Sequence, residues 1–154
     1  MYIMVWNLAE DLKYGKYHEK KLASWFNRNK YFQDPIKLYQ NEKSQVDFRN
    51  NEIIAELKTR PNCTHTRYDE TFFGYNKIQH YKNLNDSRPL IFYFLFTDGL
   101  YSWEYKEGEY QVRDYYHRER GMIDQVYVPH TNLKLVSTDI TSKSTLPPDY
   151  QEYL

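Results

Sequence analysis

QVDFRNNEIIAELKTR, residues 45–60, is the stretch whose reading decides the fold. Its two halves flank Asn50 and Asn51, and asparagine tolerates the positive φ of a tight turn better than most residues. The stretch predicts a hairpin, with a strand over 44–48, a turn over 49–52 and a second strand over 53–59. Successive side chains of a strand point to opposite faces. Ile53, Ala55 and Leu57 then share one face, and Ile54, Glu56 and Lys58 the other. On the first strand, Val46 and Phe48 point away from Gln45 and Asp47. If Arg49 pairs with Glu52, Asp47 falls opposite Ile54, and Asp47 and Glu56 become diagonal neighbours about 7 Å apart.

Two carboxylates so placed can chelate one divalent cation, and Lys58 follows Glu56 on the same face. Metal-assisted phosphodiester hydrolysis needs such a set. The acids hold Mg²⁺, the metal polarises the phosphate and lowers the pKa of a bound water, and the ammonium orients that water or offsets charge. A plainer reading is a solvated hairpin face with an incidental ion pair. Asp47 followed by Glu56, Leu57 and Lys58 resembles the bipartite motif of the PD-(D/E)xK nuclease superfamily. That group holds restriction endonucleases, archaeal Holliday-junction resolvases and phage recombination exonucleases. Val46 stands where the family often has proline.

Upstream, residues 13–29 read as a helix with Gly15, Leu22 and Phe26 on one stripe and Ala23 and Trp25 beside it. Glu19 lies on that stripe, where an acid is costly unless something pairs with it. Lys16 or Lys20 could be that partner. Residues 14–19 also resemble the family's Gly-x-x-x-Glu-like setting, which implies that Glu19 points at the metal site. Downstream, 62–71 reads as a loop in which Arg67 is available for a phosphate. A second helix is expected over 71–85, with Phe73, Ile78 and Tyr81 inward. The family places a glutamine or lysine from this helix near the metal, so Lys77, Gln79 and Tyr81 are its candidates.

The apolar run LIFYFLF at Leu90–Phe96 predicts a buried central strand. Asp98-Gly99 predicts a hairpin turn, followed by strands over 100–106, 109–116, 125–128 and 133–136. Arg113, His117, Arg118 and Arg120 form a basic cluster read as a solvated loop ahead of a nucleic-acid clamp, and Tyr2 to Trp6 a short strand or lead-in. The tail from Ser137 reads as a docked strap or a disordered end.

The resemblance implies an α/β fold with a restriction endonuclease-like αβββαβ core over residues 10–97, its mixed central sheet flanked by helices. An antiparallel β extension over 98–136 and a polar tail over 137–154 complete a single domain, 1–154. Asp47, Glu56, Glu19 and the Leu57 backbone carbonyl would hold Mg²⁺ or Mn²⁺, and Lys58 would position the attacking water. Lys16, Arg60, Arg67, Lys77, Gln79 and Tyr81 are the candidates for contact with nucleic acid. DNA stands ahead of RNA as substrate and endonuclease ahead of exonuclease, with a homodimer as the family analogy. The alternative is a silent nucleic-acid-binding or protein-interaction module on the same fold.

Composition bounds these readings. The 154 residues carry zero formal net charge, which counts against a general DNA-coating role, because phosphate contacts need a surplus of Lys and Arg. Seventeen tyrosines can fill a core with their hydroxyls in water, or stack on bases. A lone cysteine, Cys63, excludes an internal disulfide, and no apolar run approaches membrane-spanning length. With no secretory signal pattern at the N-terminus, the expected location is intracellular, with no membrane partner.

Overall fold

The computed structural model describes residues 8–38 and 46–143. Helix α1 (Leu8–Arg28) is followed by β1 (Lys37–Leu38), β2 (Phe48–Arg49) and β3 (Ile54–Thr59). Next come β4 (Glu70–Gly74), α2 (Asn76–Leu84), β5 (Leu90–Phe96) and β6 (Gly99–Glu104). Strands β7 (Gln111–His117), β8 (Gly121–Pro129) and β9 (Lys134–Ser137) complete the order. Six strands form one mixed sheet in the order β1-β2-β3-β5-β6-β9. Within it β3 and β5 run parallel and every other pair antiparallel. A parallel pair needs a crossover, and here β4 and α2 supply it. The remaining strands form a second, antiparallel sheet, β4-β8-β7. No helix among the described residues is long and apolar enough to cross a membrane.

The apolar run of β5 is buried on both faces, as its lack of polar alternation requires. Tyr93 and Leu95 pack with Ala55 and Leu57 of β3 against Leu22, Ala23 and Phe26 of α1. Phe92, Phe94 and Phe96 face the other way, onto Ile78 of α2 and onto Phe73, Val126 and Val128 of the second sheet. Phe73 and Phe92 stack with centroids 4.1 Å apart. Each such ring contributes about 2–3 kcal/mol by leaving water. The main sheet therefore lies between α1 on one face and α2 with the second sheet on the other.

Three expectations need correction. The hairpin register differs by two residues: Arg49 pairs with Ile54 and Phe48 with Ala55, and Asp47 N–H donates to the Ala55 carbonyl, so Asp47 lies beside Ala55 and Glu56 rather than opposite Ile54. Asn50 is the cause. Its Oδ1 accepts from the N–H groups of Glu52 and Ile53 (both 2.8 Å), which widens the connection. The same Asn50 donates through Nδ2 to the Asp34 carbonyl, and Arg88 Nη1 donates to its carbonyl. Glu56 and Lys58 keep the predicted face. Alternation breaks at Asp47, however, so Val46 packs with Ile54 and Ile78 while Phe48 packs with Ala55 and Leu57, not both on one face as expected. Second, the helix expected over 71–85 begins only at Asn76. Thr71 and Phe73 are buried while Phe72 is exposed, the period of a strand, and β4 pairs with β8. Third, the strands after residue 98 do not form one extension: β6 and β9 widen the main sheet, while β7 and β8 join β4 in the second.

The helix expected over 13–29 starts earlier, at Leu8. The predicted strand at Tyr2 to Trp6, the residues 44–45 that open the hairpin, and the tail beyond residue 143 lie outside the described residues. Up to that point the tail is a strap. Ile140 is buried, Ser142 N–H donates to the Phe96 carbonyl (2.9 Å), and Ser142 Oγ donates to the Arg60 carbonyl (3.1 Å).

Candidate active site

The acids meet where β2 ends against β3. Asp47 N–H donates to the Ala55 carbonyl (3.1 Å), and Leu57 N–H donates to Asp47 Oδ2 (2.9 Å). These two bonds fix the carboxylate across from Glu56. The N–H and C=O of one residue in an extended strand point to the same side, so the Leu57 carbonyl also faces Asp47.

Glu56 is 1% exposed. Lys77, in the first turn of α2, brings its Nζ to 2.6 Å from Glu56 Oε1. That oxygen has no partner with hydrogen-bond geometry, so the contact is charge pairing rather than a directed bond. Glu19 comes from α1, and Asp47 lies close enough to both glutamates to act on each of them. Burial, then the charge and hydrogen bond of Asp47, push the Glu19 carboxyl up to about 8, against the pull of Lys16 and Lys58. Burial first, then the same neighbour, lifts Glu56 well above the carboxylate range, opposed by Lys58 and Lys77. Burial draws the Lys58 ammonium down, and Lys77 and Arg60 repel it further, while Glu56 and Asp47 favour its charge.

Two buried glutamates whose charged forms are disfavoured beside a third carboxylate make a cluster of hard oxygen donors of the kind a divalent cation takes. The donors are hard oxygens, as Mg²⁺ and Mn²⁺ require. Among the described residues no group of three or more His, Cys, Asp and Glu side chains is arranged to hold a metal ion.

No family model, curated protein or solved structure matches the chain. The site thus stands on its own geometry.

The expected residues divide into two groups. Glu19, Asp47, Glu56, Lys58 and Lys77 come together, with Lys16 close enough to act on Glu19. Arg60 lies further along the Glu56–Lys58 face of β3; its guanidinium donates to the Phe72 carbonyl and sits over the Phe72 ring. Arg67 covers the Tyr68 ring on the loop before β4. Gln79 is exposed on α2. Tyr81 donates its hydroxyl to the Arg88 carbonyl (2.7 Å) and packs edge-on to Tyr105, away from the acids.

Sequence reasoning passed over a second polar pair. At the carboxyl ends of β3 and β5, His65 Nδ1 lies 2.5 Å from Asp98 Oδ2 and the ring stacks on Tyr101. Asp98 reads in sequence only as a turn residue, and nothing local ties it to a histidine 33 positions earlier. His18 was also unremarked; it is fully buried on α1, and burial with the charge of Lys21 lowers its imidazole to about 4.

Proposed function

We propose that this protein is a divalent-metal-dependent nuclease that hydrolyses phosphodiester bonds, with DNA ahead of RNA and endonucleolytic cleavage ahead of exonucleolytic. The observation that carries the reading is the meeting of Glu19, Asp47 and Glu56 beside Lys58, with Leu57 N–H bonded to Asp47 and Lys77 set against the buried Glu56. The chain order supports it too. A helix, three short antiparallel strands, a crossover helix and a strand parallel to β3 suit the αβββαβ core of the PD-(D/E)xK superfamily, with β4 of the second sheet inserted before the crossover helix.

Asp47, Glu56, Glu19 and the Leu57 carbonyl would hold the metal. A bound divalent cation polarises phosphate and acidifies water. Lys58, whose charged form burial disfavours, would as a neutral amine accept a hydrogen bond from the attacking water and take its proton as the oxygen bonds to phosphorus. Lys77, released from Glu56, offsets charge on the phosphate as the P–O bond to the leaving oxygen breaks. That oxygen takes a proton from solvent.

The test is a cleavage panel of duplex, single-stranded, flap and four-way-junction DNA, with RNA, in Mg²⁺ or Mn²⁺ and in EDTA. Cleavage should require metal and be lost in Asp47→Asn and Lys58→Ala. A removed catalytic group of this kind costs roughly 100-fold or more. Cleavage unchanged in both variants sinks the assignment.

A further inference from the structure

We propose that the outward face of the second sheet is a stacking platform for unpaired bases, so that the substrate presented to the acid site is single-stranded or splayed nucleic acid. This rests on the nuclease reading for its location, and on separate residues for its chemistry. Phe72 of β4 is 46% exposed, although its neighbour Phe73 is buried. Phe72 and Tyr127 pair across β4 and β8, with ring centroids 5.9 Å apart. Arg60 lies over Phe72 at 5.5 Å and Arg113 over Tyr127 at 4.5 Å. Tyr115 of β7 lies on the same face and is 44% exposed.

Exposed aromatic area on a sheet face is costly in a free surface, and guanidinium groups laid over two of the rings keep them flat and upright. A duplex hides its base faces and cannot use such a platform. Unpaired bases stack on aromatic rings regardless of sequence.

Continuity with the acid site selects nucleic acid over other occupants. Arg60 follows Glu56 and Lys58 on one face of β3, two residues apart each time, and then reaches the Phe72 ring. A strand whose phosphate lies at Lys58 would run past Arg60 onto Phe72 and Tyr127. The platform itself adds little charge, because Glu70 takes the Arg113 guanidinium in a two-point pair of 2.8 and 2.9 Å. Its contribution is therefore stacking, and it should depend weakly on salt.

The test is fluorescence anisotropy in EDTA, so that nothing is cleaved, with a labelled oligothymidylate and a labelled blunt duplex. Phe72→Leu and Tyr127→Leu keep apolar area and β propensity but remove the rings. Each should weaken oligothymidylate binding about 5- to 100-fold, the range for loss of one stacked base. That factor should be the same at 50 and 200 mM salt, and duplex binding should not change. Melting temperatures near wild type show that both variants fold. Unchanged oligothymidylate affinity, an equal loss on duplex, or a loss that disappears at high salt each overturns the platform. Asp47→Asn separates this from the nuclease reading. If that variant still cleaves, the acid site is wrong while ring-dependent binding can stand. If it is inactive and the ring variants bind normally, the platform alone fails.

Discussion

Metal should stabilise this protein at pH 8 and scarcely at all at pH 5.5. Glu19 is the reason. Its carboxyl titrates near 8 in the folded chain and near 4.5 when unfolded, raised first by burial and then by Asp47. The folded state thus holds the extra proton, and stability from this group is present below pH 4.5 and lost as pH rises through 8. By pH 8 the loss is on the order of 4 kcal/mol at most. A metal that needs the ionised acid gives up little to the proton at pH 8. At pH 5.5 it must first remove a proton at about 3 kcal/mol, which weakens binding roughly 300-fold. At a Mn²⁺ or Mg²⁺ concentration near 100 times the pH 8 dissociation constant, the stabilisation is about 2.7 kcal/mol. That is roughly 5–10 °C for a chain of this size, falling to about 1 °C or less at pH 5.5.

Thermal melts with and without metal at the two pH values read this directly. Glu19→Gln should melt higher than wild type at pH 8 without metal and should lose most of the metal response. A metal shift of equal size at both pH values, or one that survives in Glu19→Gln and Asp47→Asn, would refute the reasoning.

Other expectations follow from single contacts. Lys77→Met removes the cation beside buried Glu56, so urea melts should show a cost of up to about 3 kcal/mol at pH 8. Phe73→Ala should cost about 3–5 kcal/mol and Phe72→Ala less than about 1 kcal/mol, an alternation that a helix over 71–85 would not give. His18 works opposite to Glu19: its folded pKa of about 4 lies below the unfolded 6.5, so its stability is present above 6.5 and lost as pH falls toward 4. The size is roughly 3 kcal/mol, and His18→Leu should flatten that limb of the stability–pH curve.

The faces of β3 were readable because alternation is a local property of extended backbone that a register error of two residues leaves intact. Those of the first strand were not, since Val46 and Phe48 fall in different core clusters. The register was not readable, because Asn50 closes the turn with its own side chain while Asp34 and Arg88, distant in sequence, hold it. Strand β4 was hidden for a similar reason. Five residues beside a helix carry little periodic signal, and the strand that pairs with them lies some fifty positions on, at Gly121–Pro129. Leu90–Phe96 was readable because a run without polar positions has to be covered on both sides wherever it sits.

Zero net charge looked like an objection to a nucleic-acid enzyme, and the site changes its meaning. Lys16, Lys58, Lys77 and Arg60 act on or adjoin Glu19, Asp47 and Glu56, so the cations near the acids are already answered by acids. Phosphate gains little there while the acids are ionised and no metal is bound. A divalent cation would, on the nuclease reading, add two positive charges to these four cations and three acids and would free Lys77 from Glu56. On the nuclease reading, affinity for the phosphate backbone is therefore conditional on metal, whereas affinity for bases at Phe72 and Tyr127 is not. A chain with no net charge can then hold nucleic acid by its bases first. It would engage the scissile phosphate only when it can cut.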